Sequence, residues 1–128
     1  MRKGLLFVVT ILVVGLALSP CAWAKAKTIK VGINAPITGD IPKVGEGSKY
    51  AAEMWLEDIK AAGGLDVGGE KVMVEIVVED NESKPESAAK AATKLITEDE
   101  VLAIVGPQAS SQAIPAARAA WTPVGESS

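Results

Sequence analysis

The chain has 128 residues, with 13 basic and 16 acidic side chains, a net charge of −3 and no histidine. The missing imidazole excludes a Ser-His-Asp triad and the commonest metal ligand. An acidic chain without a basic block is a poor match for nucleic acid or an anionic membrane surface, and a single cysteine, Cys21, excludes an internal disulfide.

Arg2 and Lys3 precede an apolar core from Gly4 to Leu18, and Ala22-Trp23-Ala24 carries small residues at alternate positions. That is the pattern of a secretory signal peptide spanning residues 1–24, cleaved after Ala24 and sending the protein to the periplasm. Pro20 interrupts the apolar run, which falls short of the ~20 residues that span a bilayer. A lipid-modified Cys21 is the weaker alternative, because Pro20 stands where such processing prefers a small residue. The mature chain from Lys25 onward is long enough for one small domain with a modest core.

Thr28 to Ala35 is rich in β-branched residues and predicts a first strand. Pro36 to Gly47 holds two prolines and three glycines, which predicts a shaped loop without a regular element. Tyr50, Ala51, Met54, Trp55, Ile59 and Ala62 recur at about helical spacing, so they are expected to form the buried face of a helix that Gly63-Gly64 ends. A turn at Asp66 to Glu70 leads into Lys71 to Asp80, apolar on both sides, as a strand covered by helices requires.

Ser83-Lys84-Pro85-Glu86 reads as a capping box opening a second helix, with Ala88, Ala91, Ala92, Leu95 and Ile96 as its buried stripe. Glu98-Asp99-Glu100 should lie past its last turn. Val101 to Val105 is a short buried strand, stopped by Gly106-Pro107. A third helix from Ser111 to Ala120 has Ala113, Ile114, Ala116, Ala117 and Ala120 as its apolar positions, and Pro115 should delay or bend its start. The alternation of strands and helices predicts an α/β fold, a parallel sheet with helices on both faces.

In such sheets ligands bind outside the carboxyl ends of the strands, which places Gln108, Ser110 and Ser111 where a small polar molecule is held. The competing reading, equally open, is that Ser110 or Ser111 caps the next helix. Glu79 to Glu82 lacks the alternating ligands and glycine of a calcium loop and reads as a solvated turn, with Asp80 alone kept as a group at the ligand edge. No cofactor fingerprint and no metal site is found.

With these pieces placed, Ile29 to about Ala120 resembles the amino-terminal part of the branched-chain amino-acid (leucine-binding) proteins, the type I periplasmic substrate-binding proteins of ABC importers. The resemblance is carried by the order and spacing of IKVGINAPITGD, EDIKAAGGLDVGGEKV, VVEDNESKPESAAKAATKLI and VLAIVGPQASSQA. It implies lobe one of that fold, with flavodoxin-like strand order, over residues 25–120, incomplete and succeeded by a non-matching tail at 121–128 that reads as a truncated or frame-shifted end. It implies no enzyme activity, and a solute-binding role for amino acids in which Ser110 holds the α-carboxylate, with Ser111 and Gln108 beside it and Thr38 and Gly39 approaching from the first loop. Val44 stands where some amino-acid binders carry an aromatic. The implied partners are an amino acid and, for a full-length form, a membrane permease; a fragment without the second lobe is expected to bind weakly or not at all. The alternative is an extracytoplasmic ligand-sensing domain of a signalling protein, since fold does not fix function.

Overall fold

A computed structural model describes residues 27–121; the expected leader and residues 122–128 lie outside the described residues. The elements are β1 (Thr28–Ala35), α1 (Pro42–Ala61), β2 (Leu65–Val67), β3 (Glu70–Asp80), α2 (Pro85–Thr97), β4 (Ala103–Val105) and α3 (Ser110–Trp121). The sheet order is β2-β3-β1-β4, with β1 parallel to both β3 and β4. The predicted parallel core is therefore present. To it the structure adds β2, antiparallel to β3, inside the stretch whose sequence reads as a turn. Gly68 and Gly69 both have positive φ (62° and 87°), the conformation a tight two-residue hairpin needs, and Asp66 Oδ1 accepts from the Gly69 N–H at 3.0 Å.

Alternation along β1 shows why both faces are covered. Gly32 points at Leu95 of α2, where an added Cβ would meet the leucine at 2.9 Å, whereas Val31 and Ile33 point towards Ala51, Ala52 and Trp55 of α1. On the α2 side the expected stripe is in place: Ala88, Ala91, Ala92 and Leu95 are buried, and their small size lets α2 lie close on the sheet and against α3.

The two other helices turn differently from their sequence patterns. α1 begins at Pro42, inside the expected loop, because Pro42 supplies a helical φ in the first turn and Gly45 lets that turn press on Pro36. A Cβ at Gly45 would overlap the Pro36 carbonyl, so this glycine is a contact point rather than a break. That contact fixes the helix's rotation. Gly45, Ser48, Ala52, Leu56 and Ile59 turn inward, and the expected core residues Tyr50, Met54 and Trp55 are 57%, 68% and 42% exposed. Trp55 borders an apolar groove of about 370 Å³ shared with Val31, Ile33, Ile76 and Val105.

α3 starts at Ser110 and runs through Pro115. The proline forfeits only the bond to the carbonyl of Ser111, an exposed residue in the first turn, so no later start is required. Its inward face is Gln112 and Ala116, with Ala119 against Ala88 and Ala92, whereas Ile114 is exposed. No described helix is long and apolar enough to cross a membrane.

Candidate functional site

Parallel strands end at a common edge, and the register makes the neighbours explicit. Ala35 pairs with Asp80 and Ile33 with Val105 at the carboxyl ends of β1, β3 and β4. Three connections, 36–41, 81–84 and 106–109, therefore leave the sheet side by side, where ligands enter folds of this kind.

The first connection is held from outside by the second. Asp80 Oδ1 accepts from the N–H groups of Ile37 (3.0 Å), Thr38 (3.1 Å) and Glu82 (2.8 Å), and Oδ2 accepts the Thr38 hydroxyl at 2.6 Å. Partial burial pushes the Asp80 pKa up, but the Thr38 hydroxyl and the three N–H donors outweigh it and hold the carboxyl below its ordinary value. Ser83 completes the hold: its hydroxyl donates to the Thr38 carbonyl at 2.9 Å and accepts from the Ile41 N–H at 3.2 Å. Gly39 adopts φ 92° directly against Glu82, where a Cβ would overlap the Glu82 carbonyl.

Ser83 is thus not the helix cap that its spacing to Glu86 predicts. The cap position of α2 falls on Lys84, without a side-chain cap bond, and Ser83 has positive φ (59°) with its hydroxyl turned to the first loop. A buried amide pair anchors the arrangement below. Asn34 Nδ2 donates to the Ala88 carbonyl at 2.9 Å, Asn81 Nδ2 donates to Asn34 Oδ1 at 3.0 Å, and Asn81 Oδ1 accepts from the Ser83 N–H at 3.0 Å. Sequence reasoning passes over both asparagines; the available signal was a polar residue at the end of each of two buried strands, where a buried amide must find partners.

The third connection is left open. Gly106 has φ 92° and precedes a cis peptide to Pro107, and it passes so close to β1 that a Cβ would overlap the Asn34 carbonyl. Gln108 reaches α1, its Nε2 donating to Ser48 Oγ at 2.6 Å. The Ala109 carbonyl accepts from Gln112 and Ala113, which makes Ala109 the residue that opens α3. Ser110 and Ser111 are exposed, and neither their hydroxyls nor their N–H groups make a hydrogen bond among the described residues. Neither serine caps α3; both sit inside its first turn with donors unspent. Beneath them Gln112 is buried with its Oε1 unpartnered.

Of the sequence-predicted site residues, Ser110, Ser111 and Gln108 thus share one turn, while Thr38 and Gly39 lie on the neighbouring connection with Thr38 fully engaged. Glu79, next to Asp80, is spent on the surface: it pairs with Lys94 at 2.5 Å, and this hydrogen bond raises the lysine's pKa. Among the described residues no group of histidine, cysteine or carboxylate side chains is placed to hold a metal ion.

Residues 28–124 match the sequence model of the periplasmic binding protein family. The chain belongs to that family. It is a family of solute-binding proteins, not enzymes, and the fold seen here is that of its type I members. An amino acid binding protein of Pseudomonas aeruginosa is 35% identical over 115 residues, 90% of this chain and 28% of its own length. The branched-chain amino acid transporter substrate-binding protein LivJ of Streptococcus pneumoniae, solved with isoleucine, superposes with a TM-score of 0.66 at 36% identity, over 73% of this chain and 26% of that one. A solute-binding protein of an ABC transporter from Rhodopseudomonas palustris, solved with 3,4-dihydroxybenzoic acid, superposes with a TM-score of 0.54 at 31% identity, over 71% of this chain and 23% of that one. The chain therefore spans about a quarter of the length of these relatives.

Proposed function

We propose that this periplasmic binding protein chain is the lobe-one portion of an extracytoplasmic solute receptor of an ABC importer for amino acids of the branched-chain type. In this reading the solute's carboxylate sits at the first turn of α3. The observation that carries it is the set of unspent donors there, the hydroxyls and N–H groups of Ser110 and Ser111. The first turn of a helix concentrates free N–H groups and partial positive charge, which is what a carboxylate needs. The named ligands of the two solved relatives, isoleucine and 3,4-dihydroxybenzoic acid, share a carboxylate and little else. Ser110 is the principal donor, Ser111 stands beside it, Gln108 ties the turn to α1, and the Thr38–Gly39 segment forms the adjoining wall.

The membrane permease of the importer is the partner of the full-length form, and export to the periplasm follows from the leader ending at Ala24. With one open lobe the solute keeps most of its contact with water, so affinity of this chain alone is in the millimolar range or weaker, on the order of 4 kcal/mol of binding free energy. Titration of the isotope-labelled chain with L-isoleucine, followed by amide chemical shifts, tests the reading. Ser110 and Ser111 should move with isoleucine and not with L-isoleucinamide, which lacks the carboxylate. Ser110→Ala should weaken the response by about tenfold, the loss of one hydrogen bond to a charged group. An isoleucine response confined to other parts of the chain, or one that isoleucinamide reproduces, overturns it.

A further inference from the structure

We propose that Asp80 is a positioning residue of the candidate site, shaping the β1–α1 connection from the outside while making no contact with the solute itself. Three N–H groups converge on Asp80 Oδ1 and the Thr38 hydroxyl occupies Oδ2, so a carboxylate that the sequence places at the ligand edge is turned into the protein's own loop and its lone pairs are nearly saturated there. The loop's own donors agree. Thr38 has its N–H and hydroxyl on Asp80 and its carbonyl on Ser83, leaving no polar hydrogen for a ligand. The N–H groups of Gly39 and Asp40 have no partner among the described residues, and they are the donors this clasp leaves free.

The placement is a consequence of register. Asp80 is the last residue of β3 and lies opposite Ala35, the last of β1, so its side chain falls where the chain turns off the sheet at Pro36–Thr38. An asparagine at position 80 keeps one oxygen for the three N–H groups but loses the second that takes the Thr38 hydroxyl; a carboxylate satisfies all four donors. The ionised form is the one that accepts them all. The groups around it are Glu79 and Glu82 on its own strand and turn, Lys84 paired with Glu82, and Lys90 and Lys94 on α2, while Pro36, Ile37 and Thr38 bring no charge. Hydrogen bonds to the ionised carboxyl rather than one dedicated cation therefore keep it charged.

The inference rests on the solute-binding reading for its functional arm only. Amide hydrogen exchange on the full chain supplies the structural arm. Asp80→Ala should speed exchange at Thr38 by about tenfold or more, and by less at Ile37, whose N–H also donates to the Ala35 carbonyl at 3.0 Å, while leaving Ile33 and Val74 in the strands unchanged. Asp80→Asn, which keeps one acceptor oxygen and can donate to the Thr38 hydroxyl in return, should restore most of the protection. If Asp80→Ala loosens Val74 as well, Thr38→Val, which removes only the hydroxyl, should shift the Asp80 carboxyl titration back towards the ordinary aspartate value without touching the strands. Ile37 and Thr38 amides that exchange in the wild type as fast as Gly39, or an Asp80 titration unmoved by Thr38→Val, overturn the proposal.

The functional arm is the isoleucine response of Ser110. It should survive in Asp80→Asn and fall several-fold in Asp80→Ala. An equal response in all three proteins removes the positioning role, whereas isoleucine inert towards all three, with the exchange results as expected, condemns the solute reading and leaves Asp80's control of the loop standing.

Discussion

The connections after β1 and after β4 leave neighbouring strands at the same edge, and both contain a glycine at φ 92° pressed against a foreign carbonyl. They differ in what they do with their polar groups. In the first connection Ile37, Thr38 and Ile41 spend theirs on Asp80 and Ser83, leaving as donors only the N–H groups of Gly39 and Asp40, whereas the turn into α3 leaves both the hydroxyls and the N–H groups of Ser110 and Ser111 unspent among the described residues. Nearness to the ligand edge therefore does not make a residue a ligand contact. Thr38 has the right position and the right chemistry, and its hydrogen bonds are already made.

That contrast can be broken in graded steps. Asn34→Ala should do the most damage, since it leaves the buried Asn81 Nδ2 without its acceptor and takes from the Ala88 carbonyl the donor it has beyond its helix bond; a loss of about 2 to 3 kcal/mol should appear as a lower urea midpoint. Gly39→Ala and Gly106→Ala should each cost more than about 1 kcal/mol, because both need a left-handed backbone and both would drive a Cβ into a carbonyl. A milder result at Gly106 would mean that the open turn relaxes where the clasped one does not.

Acid should act on one connection only. The carboxyl of Asp80 lies below its ordinary value in the folded chain, so its contribution is complete above the unfolded pKa of about 3.9 and is lost as pH falls through the lower folded value. Urea midpoints measured from neutral pH down through that window should fall more steeply for the wild type than for Asp80→Asn. Parallel curves would mean that the clasp adds nothing to stability. Ser110→Ala should do the least, staying within about 0.5 kcal/mol of wild type in the same assay, since its hydroxyl makes no bond among the described residues. A large destabilisation would show that Ser110 serves the fold and would transfer it from the site to the scaffold.

Much of the fold was legible in the residues. β1 spans the very residues its β-branched run predicts, and the alanine stripe of α2 is buried as periodicity requires. Both succeed because a local pattern meets one uniform environment, a sheet interior or one helix face. The failures have a common cause. Tyr50, Met54 and Trp55 are large and apolar at helical spacing, yet α1 turns Gly45, Ala52 and Ile59 inward, since a close helix-to-loop contact at Gly45 fixes its rotation. The same applies to Ser83. Its distance to Glu86 is that of a capping box, but a neighbouring loop offers its hydroxyl two partners at once.

The order of elements apart from β2, the parallel pairing of β1 with β3 and β4 that this order dictates, and the position of the turn at Gly106–Ser111 could be read along the chain. They arise from hydrophobic period and chain direction, which are properties of consecutive residues. Which of the edge residues are free was settled by folding alone, because a hydrogen bond between Thr38 and Asp80 joins positions 42 residues apart and no local pattern records it.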